Sequence, residues 1–200
     1  KFYDHIQLIK LAEEAVILGY PISHFSLGMQ MHLGPRIIKA YDCYTYAQLP
    51  KNSIIAGCTQ STYFTKVLLY RVIKTAMQHD PGQFIRTFID DVHQSVTGTE
   101  DQVCLDLVSN GANLAGLLVQ MGNVISPKSK VLATTKKVRE YVSKKLKELG
   151  YRVDVTTQSK DLGVLTTAGV RRAAAGTKDR MAKAKSRTYR VKILNRVTPQ

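Results

Sequence analysis

The sequence predicts an α+β fold in which helices pack on a central antiparallel hairpin and a basic helical segment follows. Three observations predict it. Two extended runs, Phe84 to Ile89 and Val92 to Val96, meet at the acidic pair Asp90-Asp91, which reads as a hairpin with acids at its tip. Apolar residues at helical spacing recur on both sides of that hairpin. Residues 123–200 hold twenty Lys/Arg against five Asp/Glu, whereas residues 1–122 hold nine against ten.

Taken in order, Ile6 to Leu18 places Leu8, Leu11, Ala12, Ala15 and Val16 on one helical face and stops at Gly19-Tyr20-Pro21. Ser23 caps a second predicted helix through Leu33, which Gly34-Pro35 ends. Arg36 to Tyr41 is β-like, and Tyr41, Tyr44 and Tyr46 follow in a polar stretch, suited to sheet or loop packing ahead of base stacking. Ile54 to Ser61 breaks from an apolar run into a small-residue turn. It opens a long helix with Phe64, Val67, Leu68, Val72 and Met77 on its stripe. Such a junction lets backbone approach a ligand closely and the helix N-terminus favours anions, although a plain turn with an N-cap has the same sequence.

Beyond the hairpin, Thr99-Glu100-Asp101-Gln102 has the form of a capping box. The helix it opens uses Val103, Leu107, Leu114, Leu118 and Met121 and ends at Gly122-Asn123. Ser126-Pro127-Lys128-Ser129 begins a loop and a short strand, Val131 to Ala133. A basic helix follows with Val138, Tyr141, Val142, Leu146 and Leu149, then a strand alternating Tyr151, Val153 and Val155. The strands are expected to form one sheet layered with helices. From Arg171 the chain is Ala- and Lys/Arg-rich, which predicts a helix on nucleic acid or a basic tail that orders on binding.

The composition, 44% hydrophobic and 22% charged over 200 residues, is that of a soluble globular chain. No uninterrupted apolar run approaches the roughly 20 residues that span a bilayer, and no signal-peptide pattern opens the chain. An intracellular location, nuclear or cytoplasmic, and no membrane partner are therefore expected. Cys43, Cys58 and Cys104 fit neither a disulfide framework nor a zinc site. The five histidines form no ligand cluster, and His24 and His32 are expected to be solvated or satisfied in the core. The C-terminal charge excess calls for a polyanion, with nucleic acid ahead of anionic membrane because the segment lacks an interfacial apolar face.

Adjacent aspartates at a strand end can present oxygens to hard cations such as Mg²⁺, the apparatus of phosphoryl and nucleotidyl transfer; adjacent acids also sit solvated in turns and caps. The ordered motifs around them narrow the reading. Lys1-Phe2-Tyr3-Asp4, Gly57 with Ser61, Phe88-Ile89-Asp90-Asp91, Lys128-Ser129 and Leu162-Gly163 follow one another as in the reverse transcriptase palm of non-long-terminal-repeat retroelements, which residues 1–165 resemble. Lys1-Phe2-Tyr3-Asp4 resembles the strand end of the first palm motif, and Leu162-Gly163 the hairpin that grips the primer. Residues 166–200 are then a basic connection or the start of a thumb. Ser61 is followed by Thr62 where the family has Pro, and Ala56 stands where it often has Gln.

The resemblance implies Mg²⁺-dependent, RNA-directed DNA synthesis, with dNTP joined to a DNA primer on an RNA template and Mn²⁺ as a substitute. It implies metal-holding roles for Asp90 and Asp91, with Lys128 acting on the leaving pyrophosphate. Tyr3 would lie beneath the sugar, and Gly57, Gln60 and Ser61 would line the template and nucleotide side. Arg171, Arg172, Lys183, Lys185 and Arg187 would follow template–primer phosphates. The family's first metal-binding aspartate falls three residues before the position of Lys1, so the chain is expected to be a segment of a longer polyprotein with fingers, thumb and an endonuclease, inactive alone. Two other expectations stand beside this one: a non-catalytic nucleic-acid-binding remnant or domesticated palm, and another metal-dependent nucleotidyltransferase such as an RNA-templated RNA polymerase.

Overall fold

The computed structural model describes residues 2–50, 52–89, 91–161, 164–168 and 174–197. The chain opens with a single helical turn, α1 (Phe2–His5), and not with the strand end expected there. Helix α2 (Leu8–Ile17) is amphipathic, with Leu8, Leu11 and Ala15 buried, and Gly19 at φ +64° turns the chain out of it. Helix α3 (Ile22–Leu33) starts one residue before Ser23, with Pro21 as its N-cap. Ser23 is thus inside the helix, where its Oγ lies 3.4 Å from His24 Nδ1 and caps nothing.

The β-like stretch expected after α3 is short. Strands β1 (Lys39–Ala40) and β2 (Cys43–Tyr44) form a small antiparallel ladder, with a bridge from Arg36 to Gln48. Helix α4 (Thr59–His79) buries Phe64, Val67, Leu68 and Val72 as the spacing predicts. Met77 is 45% exposed, because Ala76 takes the inward position of that last turn.

Strands β3 (Phe84–Phe88) and β4 (Asp91–Ser95) pair antiparallel in the register Phe84↔Ser95 through Phe88↔Asp91. Helix α5 (Glu100–Gln120) has Thr99 as N-cap in extended conformation, but the Thr99 side chain makes no cap bond. Gln102, the reciprocal residue of the capping box, donates to Asp106 Oδ1 at 2.9 Å, and Glu100 accepts a hydrogen bond from Thr135 Oγ1 at 2.7 Å. At the far end Gly122, at φ +79°, lets Asn123 N donate to the Leu118 carbonyl, which closes the helix.

Strand β5 (Lys130–Val131), helix α6 (Lys136–Glu148) and strand β6 (Asp154–Val155) follow, with β5 and β6 pairing in parallel across α6. Both strands are shorter than predicted. Val138, Val142 and Leu146 of α6 are buried, while Tyr141 and Leu149 on the predicted stripe are exposed. Strands β7 (Gln158–Asp161) and β8 (Val164–Thr167) form an antiparallel pair that periodicity did not mark, though the motif resemblance placed a hairpin there. A boundary after residue 165 therefore falls inside β8. Helix α7 (Ala174–Val197) is the predicted basic helix.

The class is α+β, but the strands among the described residues form four two-stranded ladders and not one sheet. Core packing is accordingly helical. One cluster joins Ile6, Leu8, Leu11, Met29, Ile54, Phe64 and Leu68; a second joins Cys104, Val131, Val138, Val142 and Leu146. A third joins Val72, Ala76, Ile85 and Leu114, seating the hairpin on α4 and α5. Met121 packs against the first and the third. Helix α5 is apolar and long enough to cross a membrane by length and composition alone. Its apolarity has another use here, since it packs on α6 through Cys104, Leu107 and Val108, and on α4 and the hairpin through Leu114, Leu117 and Leu118.

Candidate functional site: the acidic hairpin and the loop beside α1

The acidic hairpin is built from its inner face outward. Ile85 is buried among Val72, Ala76 and Leu114, and Val92 packs beside it. Gln94 Nε2 donates to Gln83 Oε1, while Gln83 Nε2 donates to the Ala76 carbonyl at 2.6 Å. The base of β4 is thereby tied to the end of α4. Asp80, at the turn between α4 and β3, accepts hydrogen bonds from Asn110 Nδ2 and from Gly82 N. These bonds, the Asn110 one first, hold its carboxyl below the ordinary value of 3.8.

Since Phe88 pairs with Asp91, only two residues connect the strands. Ile89, the first of them, has φ +56°. Two-residue hairpin loops require a left-handed conformation at this position, and Asn or Gly normally supplies it. A β-branched residue there is strained by about 1–2 kcal/mol, and such strain gathers at functional sites. Asp91 is the first residue of β4 and is exposed; Asp90 lies outside the described residues.

The outer face of the hairpin follows from the period of two. Phe84, Arg86 and Phe88 of β3 share it with Asp91, His93 and Ser95 of β4. Phe84 and Phe88 are about half exposed, at 51% and 53%, and the Arg86 guanidinium stands 4.8 Å from the Phe84 ring centre. Aromatic faces and cations beside an acidic tip suit stacking on bases and contact with phosphates. The signal for Arg86 and His93 was the same alternation that predicts the hairpin, but they were not singled out.

A second constellation surrounds the loop leading into α4. Its backbone is stitched to the start of the chain: Ile54 N donates to the Tyr3 carbonyl at 3.1 Å and Ser53 N to the Ile6 carbonyl at 3.0 Å. Tyr3 itself is half-buried against the first core cluster, with its ring 5.7 Å from that of Phe2. Two of the sequence motifs, about fifty residues apart, are thus neighbours. Gly57, at φ +87° with open space around its Cα, is exposed.

Ser61, expected to line the template side, is 1% exposed, and its Oγ donates to the Ile55 carbonyl at 2.5 Å. Its hydroxyl fixes the loop from within. Gln60 is half-buried, with Oε1 unpartnered among the described residues.

His32, fully buried on α3, is the residue sequence reasoning missed as a loop anchor. Its Nδ1 accepts from Ile55 N at 2.9 Å, so the ring proton is on Nε2, which has no partner among the described residues. Arg36 donates to the His32 carbonyl and to Ser53 Oγ, both at 3.1 Å. Burial first, then the Arg36 charge, holds the imidazole below its ordinary value of 6.5. The sequence held a weak cue in Arg36, one turn after His32, but nothing that paired them with residues 53–61.

The remaining predicted site residues are dispersed. Lys128 is exposed in the turn before β5, its N donating to Ser126 Oγ at 3.2 Å. Lys183, Lys185 and Arg187 are exposed along α7, and Arg171 and Arg172 lie outside the described residues. Among the described residues, which do not include Asp90, no three His, Cys, Asp or Glu side chains are grouped to hold a metal ion. No protein-family model, curated protein or solved structure matches the chain.

Proposed function

We propose that the chain is the palm portion of an RNA-directed DNA polymerase of retroelement type, acting on RNA template, DNA primer and dNTP inside the cell. The observation that carries the reading is the two-residue acidic loop, in which strained Ile89 takes a place that Gly or Asn fills at no cost. The exposed turn between β1 and β2 has the same form, with Tyr41 at φ +56°, so the strain counts only together with the adjacent carboxylates. The neighbouring Tyr3 and Ile54 segments and the Phe84, Arg86, Phe88 face support it further.

In this reading Asp90 and Asp91 contribute carboxylates, and a third carboxylate from a separate strand completes the donor set. When bound there, Mg²⁺ would neutralise charge developing on the transferred phosphoryl group. The chain's own residues orient: Ile85 and Gln94 fix the hairpin, His32 and Ser61 fix the loop, and the basic C-terminal portion follows phosphates without reading sequence.

The test is primer extension on an RNA template by a polypeptide with a complete first motif. Asp90→Asn should abolish extension, Asp91→Asn should impair it less, and the 200-residue chain alone should show none. Wild-type rates in both variants would make the acidic turn structural. Ribonucleotide incorporation would instead assign an RNA polymerase. A second reading, a palm that binds nucleic acid without catalysis, rests on the basic C-terminal portion alone; binding without extension by the completed polypeptide would establish it.

A further inference from the structure

We propose that the mouth of the β5–α6–β6 crossover binds a phosphoryl group, held by Lys136, Arg139 and the first amides of α6. The site shares no residue with the acidic hairpin. A cavity of about 410 Å³ opens there, lined by Lys136, Arg139, Glu140, Val155, Thr156 and Thr157. Its position follows from topology: β5 and β6 run parallel, α6 crosses between them, and the cavity lies where β6 ends and α6 begins. The crevice beyond the carboxyl ends of parallel strands is where such units take ligands.

Arg139 supplies the independent observation. Only 9% exposed, it lines this cavity with one donor, Nη1, committed to the Ala133 carbonyl at 2.7 Å and with Nε lacking a partner among the described residues. No carboxylate pairs with it among the described residues. A buried guanidinium neutralised by no acid is costly and is compensated when an anion arrives. Glu140, the carboxylate lining the cavity, is drawn to Lys136 Nζ at 3.5 Å, and both side chains are exposed and able to part; Glu100 and Asp101 also approach this end of α6 and are paired with Lys137 Nζ at 3.7 and 3.9 Å. Thr135 caps Val138 N, and the N–H groups of Lys136 and Lys137 precede the first intrahelical bond and point outward with the positive end of the helix dipole. The Lys136 ammonium and the Arg139 guanidinium suit a tetrahedral, doubly charged oxyanion.

The test is an amide NMR titration of the 200-residue chain with inorganic phosphate at constant ionic strength. Saturable shifts are expected at Lys136, Lys137, Thr156 and Thr157. Lys136→Gln, on an exposed side chain that folding does not need, should weaken binding about tenfold, the value of one charge-assisted hydrogen bond. Arg139→Lys should weaken it at least as much. Lys144→Gln with Lys145→Gln, two turns along the same helix, should change it less than about twofold. A pair of oligonucleotides differing only in a 5′-phosphate identifies the source. Tighter binding of the phosphorylated one, lost in Lys136→Gln, supports a terminal phosphoryl group; equal binding of both, lost in Lys136→Gln, supports a backbone diester. Shifts spread over α6 and α7 alike, or equal weakening by the Lys136 and Lys144/Lys145 variants, would overturn the site.

Discussion

At the scale of single residues, His32 and Ile89 bear most on the candidate site. Replacing His32 by Leu removes the acceptor for Ile55 N–H and should cost about 1–3 kcal/mol, whereas Asn, whose Oδ1 can stand near the Nδ1 position, should recover much of it. The pH dependence has a definite sign. Because the folded pKa of His32 lies below the unfolded value near 6.5, its contribution is fully present above that value and is lost as pH falls through the folded one. Urea midpoints for wild type and His32→Asn between pH 7.5 and 5 check this, and parallel curves would refute it. Ile89→Gly removes the left-handed strain and should raise stability by about 0.5–1 kcal/mol, net of glycine's entropy in the unfolded chain. In the completed polypeptide the same substitution should lower extension, because the tip is loosened. The adjacency Asp90-Asp91 was plain in the sequence; the strain at Ile89 was not, since a backbone dihedral has no composition signature.

At the scale of elements, the helices were legible because their apolar stripes carry the period of the packing they make. Phe64, Val67, Leu68 and Val72 on α4 and Val138, Val142 and Leu146 on α6 are buried as their spacing dictates. The misread ends turn on near neighbours. Thr99 and Ser23 have capping chemistry, yet Gln102 of the capping box bonds Asp106 one turn on and Pro21 starts α3 one residue early. A competing partner a few residues away is enough to displace a local cap. The strands were overcalled in length for a different reason: alternation marks which residues can be extended but not whether a neighbour pairs. Close helix packing gives a sharp prediction. A Cβ at Gly28 would stand 2.7 Å from Phe64 Cζ, so Gly28→Ala must displace the ring at the centre of the first cluster. A loss of about 1–3 kcal/mol in chemical denaturation is expected.

At the scale of the whole molecule, charge is the organising property. Its formal net charge of +14 arises entirely beyond residue 122, and the exposed Lys183, Lys185 and Arg187 of α7 belong to that excess. Affinity for an RNA–DNA hybrid should fall steeply with salt, with a logarithmic slope of roughly 0.7–0.9 per phosphate neutralised. Deleting residues 171–200 should flatten the slope equally for unrelated sequences and leave the three core clusters intact, because among the described residues none of their members lies beyond Val153. An unchanged slope would make that charge a solvated face. The central claim, that the acidic hairpin holds a divalent cation for nucleotidyl transfer, is tested most directly by Mn²⁺ titration of the ¹⁵N-labelled polypeptide with a complete first motif in the presence of dNTP. The account predicts that the amides of Phe88, Ile89 and Asp91 broaden first and that Asp90→Asn abolishes the effect while the rest of the spectrum is unchanged. Broadening that spares the hairpin, or survives Asp90→Asn, would contradict it.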